Sequence, residues 1–279
     1  KLLFRKNKNF IVPMSDGLSE NDRKNIKFID YNNIEKSKIL LEKLKNKISC
    51  IIVEPIQGCL PDPEAIDYLK FLEAFSKKNK NILIFDEIIT GLRTKKGSVQ
   101  NYYKIKPDIS LFGKSYGGGY PIGIIAINKK IENIIYKKKL NIFYGGTFSA
   151  NAIACYCGNK TTSHIWKNKK IIEKQCQFSK YFQEELNTFI EKNKIDAKVY
   201  RFQSMVRIIF SKKQISDRVQ RDFFEKKNKL KIKKLKNFLL KKKILYPKNG
   251  IIFFSEANTI KNIKFFIKNI SLGLKKYFI

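Results

Sequence analysis

The feature that most limits how this chain can fold is a repeated alternation: apolar residues at helical spacing, then a short unbroken apolar run. EKSKILLEKLKNK (35–47) gives way to SCIIVEP (49–55), and PEAIDYLKFLEAFSKKNK (63–80), opened by Pro63, gives way to NILIFDE (81–87). DISLFG (108–113) and IGIIAI (122–127) are two further runs, each too short for an ordinary helix. Strands that are apolar at successive positions need cover on both faces, and helices in the crossover connections supply it. The expected fold is therefore α/β, a mostly parallel sheet flanked by helices.

Downstream the texture changes. From 151 to about 192 the pattern is helical, with Gly158 as its one interruption and a lysine-studded polar face. AKVYRFQ (197–203), MVRIIF (205–210), a helical stretch around 220–243, a turn at 247–250, the run IIFF (251–254) and a last helix from 259 follow. These predict a smaller α+β unit. We expect a large domain over 1–194, which includes the long helix as a bridge, and a small C-terminal α+β domain over 195–279.

Composition narrows the function classes. The 279 residues carry a formal charge of +34, yet 43% are hydrophobic, which describes a folded basic protein and not a disordered tail. The arginines are only Arg5, Arg23, Arg93, Arg201, Arg207, Arg218 and Arg221; the other basic residues are lysines scattered along the whole chain. Nucleic-acid readers favour Arg on a clustered basic face, so no nucleic-acid partner is expected. No run approaches the roughly 18 apolar residues of a membrane span, and KLLFRKNKNF has no signal-peptide core. No membrane partner and a cytoplasmic location are expected. Five cysteines without a C-x-x-C pair, and a single histidine, His164, leave little for a zinc centre or a Ser-His-Asp triad. We expect free thiols and no metal.

Two local signatures point towards nucleotide hydrolysis, ILIFDE as an acidic strand end and Gly113-Lys114-Ser115 as the close of a phosphate loop. The second fails, because the pattern G-x-x-x-x-G-K-[ST] needs glycine where Asp108 stands. The same residues suit different chemistry. Asp86 and Lys114 each close a predicted strand, so both should emerge at the carboxyl edge of the sheet, where open α/β folds bind ligands. Gly117, Gly118 and Gly119 then allow close backbone approach. One carboxylate and one amine at a shared crevice suit pyridoxal 5'-phosphate: the amine forms a Schiff base, and the carboxylate keeps the pyridinium nitrogen protonated. The freed lysine can then act as general acid and base. On spacing alone, a strand-end charge and one lysine among many fit equally well.

VEPIQG (53–58), LIFDEIITGLR (83–93), PDISLFGKSYGGGYPIG (107–123) and GGTFSAN (145–151) occur in that order at fitting separations. Together they resemble the class III, fold-type-I, pyridoxal-phosphate-dependent aminotransferases, closest to the glutamate-1-semialdehyde 2,1-aminomutase group. The resemblance implies that Asp86 is the pyridinium partner, that Ile88 packs on one face of the ring and that Lys114 is the Schiff-base lysine. It implies that Thr147 reaches the cofactor phosphate of a neighbouring subunit, hence a homodimer with shared active sites. Glu54 and Arg93 match the motifs too, and we expect each to serve in a buried ion pair or a hydrogen bond to backbone.

The departures from the family pattern are as informative. Its N-terminal part, with a phosphate-binding turn and a ring-stacking aromatic, has no counterpart, so the chain reads as a fragment that binds cofactor weakly. Ile89 and Cys59 stand where the ornithine and 4-aminobutyrate branches have Gln and Glu. The stretch around Gly250 lacks an acidic residue typical of aminomutases, and Asn258 stands where they have His. The expected activity is transfer of an amino group from an amino donor to a carbonyl acceptor. The alternatives are intramolecular transfer on glutamate 1-semialdehyde, an inactive scaffold that keeps the fold, or a basic nucleic-acid binder.

Overall fold

The computed structural model describes residues 4–7, 10–13, 15–143 and 145–279, with side chains from residue 15 onward except Glu20. A hairpin of β1 (Phe4–Asn7) and β2 (Phe10–Pro13) and the short helix α1 (Glu20–Lys24) come first; none of these had a counterpart in the sequence pattern. Helix α2 spans Ile34–Leu44 because the Asn33 side chain accepts the Lys36 N–H at 3.0 Å, which starts the helix a little earlier than its apolar spacing suggests. It leads into β3 (Cys50–Val53). A 3-10 turn opened by Pro63 and capped by Asp62 precedes α3 (Ile66–Asn79), which leads into β4 (Ile82–Asp86). A short helix, α4 (Val99–Tyr103), leads to β5 (Ile109–Gly113), and β6 (Gly123–Ile127) and α5 (Lys129–Lys137) complete this half.

The four strands form one sheet in the order β3-β4-β5-β6. β3, β4 and β5 are parallel, with Val53 opposite Phe85 and Asp86 opposite Leu111. β6 is antiparallel to β5, pairing Gly123 with Gly113. The reason is length: residues 114–122 hold only a tight turn, and a parallel return needs about a dozen residues or more. Tyr68, Leu69, Leu72 and Phe75 of α3 pack one face of the sheet together with Leu83 and Phe85 of β4. Cover on both faces holds only in part, since β6 is exposed along most of its length.

The expected long helix is two, α6 (Ala152–Lys167) and α7 (Lys170–Lys192). Asn168 makes the break: its backbone leaves the helical region, and its side-chain amide donates to the His164 carbonyl at 2.8 Å. Beyond β7 (Lys198–Phe202) and β8 (Met205–Ile209), Asn228 divides the 220–243 stretch in the same way into α8 (Arg218–Lys227) and α9 (Lys229–Lys241). Its amide donates to the Phe224 and Phe210 carbonyls, each at 3.1 Å. β9 (Ile251–Phe253) and α10 (Ile260–Phe278) follow.

β7, β8 and β9 form an antiparallel sheet covered by α7, α9 and α10. Phe182, Leu186 and Ile190 of α7 lie in one apolar cluster with Val206, Ile208, Leu235, Leu239, Ile270 and Leu274. Phe202 and Met205 instead join the cluster of the first sheet, tying the two regions together. No described helix is long and apolar enough to cross a membrane.

Candidate active site

Three neighbouring parallel strands each deliver an ionisable residue at the same edge. Glu54 follows Val53 at the end of β3, Asp86 is the last residue of β4, and Lys114 follows Gly113 at the end of β5. Val53 pairs with Phe85 and Asp86 with Leu111, so Glu54 and Asp86 end their strands at the same level about 4.8 Å apart, while Lys114 stands three residues further along its own strand. Both Asp86 and Lys114 act electrostatically on the Glu54 carboxyl.

The turn that carries Lys114 is locally strained and externally braced. Lys114 has φ 47°, a left-handed value that non-glycine residues seldom adopt. Gly118 (φ 58°) and Gly119 (φ 103°) complete the turn. Helix α6 leans on it: a Cβ on Gly158 would sit 2.8 Å from the Tyr116 carbonyl oxygen, so only glycine lets the helix come this close.

On β4 the Asp86 carboxylate accepts the Ile88 N–H at 3.1 Å, which orients it within its own turn. Ile88 lies against Gly113, its Cγ2 3.6 Å from where a Cβ on that glycine would be. The structure thus brings Asp86, Ile88 and the Lys114 backbone to one edge. Neither Asp86 nor Lys114 has an ion-pair partner among the described residues. Thr147 is exposed in the turn before α6, and no described contact joins it to the other three.

The rest of the D-E-x-x-T-G segment holds this arrangement in place, a role that sequence reasoning missed. Glu87 is fully buried and accepts the Val99 N–H at 2.6 Å, the Gln100 N–H at 3.0 Å and the Thr90 hydroxyl at 3.0 Å. It caps the start of α4 and clamps the 87–100 loop. Burial raises its carboxyl above the ordinary value, against the pull of these hydrogen bonds. Gly91 packs on Tyr116, two residues past Lys114, where a Cβ would lie 2.6 Å from Cε2 of the ring. Burial, with the Glu87 carboxylate adding to it, pushes the Tyr116 phenol up to about 12. A glutamate three residues before a threonine was the available signal.

Glu54 meets its expectation, accepting the Gly58 N–H at 3.1 Å. Burial is the main cause that raises its carboxyl; Asp86 adds to it, while Gly58, Lys114 and Arg218 oppose. Arg93 forms no ion pair among the described residues and donates no side-chain hydrogen bond to backbone, contrary to expectation; its guanidinium lies over the Phe253 ring at 4.1 Å. Asn258 is occupied in its own turn, where its Oδ1 accepts the Ser255 N–H at 2.7 Å. All five cysteines are free, and burial pushes Cys59 and Cys176 up to about 11. No group of three or more metal-ligating side chains occurs among the described residues.

Comparison with known proteins decides the family, since the profile for aminotransferase class-III matches residues 6–230. This chain is a class-III aminotransferase family member. It is 35% identical over 206 residues to glutamate-1-semialdehyde 2,1-aminomutase of Methanocaldococcus jannaschii, covering 73% of this chain and 47% of that protein. With the Clostridium novyi protein of the same name it shares 32% identity over 262 residues, 93% of this chain and 60% of the other. The chain thus spans about half the length of the first of these relatives. Among solved structures, a glutamate-1-semialdehyde aminomutase from Pseudomonas aeruginosa superposes with a TM-score of 0.84 at 14% identity, over 99% of this chain and 62% of the other. An omega-transaminase from Sphaerobacter thermophilus gives 0.83 at 16% identity, over 95% and 60%. The expected α/β architecture is therefore the fold of the class-III family.

Proposed function

We propose that this chain carries the cofactor-holding half of a pyridoxal 5'-phosphate-dependent aminotransferase, which moves an amino group from an amino donor to a carbonyl acceptor. The observation that carries the reading is the pair of strand ends: a carboxylate at Asp86 and an amine at Lys114 on adjacent strands, neither with an ion-pair partner among the described residues, with Ile88 against Gly113 and the class-III match over the same residues. An acid, an amine and an apolar side chain at one edge fit a planar ring with a basic nitrogen and an aldehyde.

When bound, the cofactor supplies an electron sink for breaking the substrate Cα–H bond. Asp86 holds a proton at the ring nitrogen. Ile88 covers one ring face and excludes water there. Lys114 would hold the cofactor through Nζ and, once the incoming substrate amine has displaced it, its free amine would take and return the proton at substrate Cα. Thr147 binds the phosphate of a neighbouring subunit's cofactor, in a homodimer with shared sites. Support for pairing comes from the exposed apolar side chains on either side of Thr147, with Phe143 91% and Phe148 83% exposed. The division into 1–194 and 195–279 stays as proposed, with α7 as the bridge. Five free cysteines support a reducing, cytoplasmic setting.

The specific relatives favour a second reading, intramolecular amino transfer on glutamate 1-semialdehyde. Supplying that compound without any keto acid separates the two. For the cofactor itself, borohydride treatment should fix one pyridoxyl group per chain at Lys114, seen by mass spectrometry. Lys114→Ala should abolish the adduct and lower turnover by at least about 100-fold, while leaving the melting temperature unchanged. An adduct of equal yield in that variant rules the assignment out.

A further inference from the structure

Charge is distributed unevenly along the chain. All seven arginines and 23 of the 24 acidic residues lie in 1–225, whereas 226–279 holds sixteen lysines, no arginine and a single acid, Glu256. Elsewhere surface lysines meet carboxylates on their own helix, as Lys129 meets Glu132 at 2.8 Å on α5 and Lys180 meets Glu184 at 3.6 Å on α7. No lysine of α9 or α10 has an ion-pair partner among the described residues. Their charges repel one another, which costs stability until an opposite charge meets them.

The two helices lie side by side and antiparallel. Gly273 of α10 packs on Leu235 and Phe238 of α9, and Lys231 near the start of α9 lies over the Phe278 ring at the end of α10, at 5.6 Å. Leu235 and Leu239 of α9 and Ile263, Ile270 and Leu274 of α10 enter one apolar cluster, so the opposite faces of both helices look outward together. On α9 that face carries Leu230, Lys233, Lys234, Asn237, Leu240 and Lys241, all exposed. On α10 it carries Lys261, Phe265, Lys268, Leu272 and Lys276, again all exposed. Leu230 is 74% accessible, and Leu245, in the turn after α9, is 85% accessible. Single exposed apolar side chains are ordinary on a surface; here they recur among unpaired lysines on one pair of helices.

We propose that the outward face of α9 and α10 docks this protein on a membrane surface that carries anionic phospholipid. The lysines meet the headgroup phosphates, and Leu230, Leu240, Leu245, Phe265 and Leu272 enter the headgroup boundary. Charge complementarity selects an anionic partner, and side-chain type selects which one. The lysine ammonium is a compact point charge drawn to a diffuse negative surface, whereas readers of nucleic acid use the arginine fork, which is missing after Arg221. Exposed leucines gain by leaving water at a bilayer interface and gain nothing along a phosphate backbone. A second copy of the same face would bring like charges together. Docking of this kind needs no spanning helix, so it replaces the expectation of no membrane partner, which rested on the lack of a span.

The test is co-sedimentation of the 279-residue chain with vesicles of phosphatidylcholine, alone or with about a third phosphatidylglycerol, with melting temperatures checked for each variant. The parent should bind the anionic vesicles and not the neutral ones, more weakly as salt rises. Lys233→Glu, Lys234→Glu and Lys241→Glu together should weaken binding by at least about tenfold. Lys38→Glu, Lys70→Glu and Lys78→Glu together make the same change in net charge on α2 and α3 and should stay within about twofold of the parent. Leu245→Ser, in an exposed turn, should weaken binding by at least about threefold, most clearly at raised salt. The proposal is overturned by equal binding to neutral and anionic vesicles or by binding to neither. It is also overturned if the α2 and α3 variant loses as much as the α9 variant, because net charge alone then accounts for binding. Unchanged vesicle binding in Leu245→Ser, with polyuridylate binding that needs Lys233, Lys234 and Lys241, overturns it in favour of a nucleic acid.

Discussion

β6 and β8 have nearly the same sequence texture and opposite surroundings. GIIAI and MVRII are both short runs dominated by branched apolar residues, yet β8 is buried at every position whereas β6 is mostly exposed, with Ile125 71% accessible. β8 lies between β7 and β9 beneath α7, and its arginine, Arg207, is neutralised by Glu225. β6 is an edge strand, and Ile125 and Ile127 both remain exposed. An apolar run states a need for cover; it does not say what supplies it, or from which part of an assembly.

The sharpest way to break this comparison is to truncate its buried side. Ile208→Ala in β8 should cost about 2–5 kcal/mol in urea denaturation, because the surrounding α7, α9 and α10 side chains cannot close over the lost volume. A cost below about 1 kcal/mol would mean that this cluster is loosely packed.

Glu87 tests the clamp at the functional edge. Glu87→Gln replaces an acceptor of three hydrogen bonds with a group that must turn a donor towards one of them, and should cost about 1–3 kcal/mol. Its pH dependence has a definite sign. The folded carboxyl is raised, so the folded chain holds the proton more tightly than the unfolded chain, where the value is about 4.3. The resulting stability is present below that unfolded value and is lost as pH rises through the folded one. The stability difference between parent and variant should therefore shrink as pH rises across that window. A difference that grows instead would show that the three hydrogen bonds outweigh burial.

The smallest effect belongs to the open edge. Ile125→Ser on β6 should change the stability of this chain by less than about 0.5 kcal/mol. A larger loss, or one that depends on protein concentration, would show that the strand is covered in solution by a second chain.

The sequence alone determined the alternation of helices and apolar strands, and with it the strand ends at which Asp86 and Lys114 emerge, because periodicity and chain direction are local properties. The family motifs were legible for the same reason. Other features depended on how distant segments meet. The split of the 151–192 helix came from Asn168, a residue that other positions tolerate within helices; Asn187 stays inside α7 because its side chain exchanges hydrogen bonds with Val199 of β7, at 2.8 and 3.3 Å. The antiparallel turn of β6 followed from the length of its connection. Glu87 as a clamp, Gly158 as a contact point and Arg93 as an unpaired cation depend on side chains that approach across the fold. Burial, pairing and charge balance are properties of those approaches, so only the tertiary structure decided them.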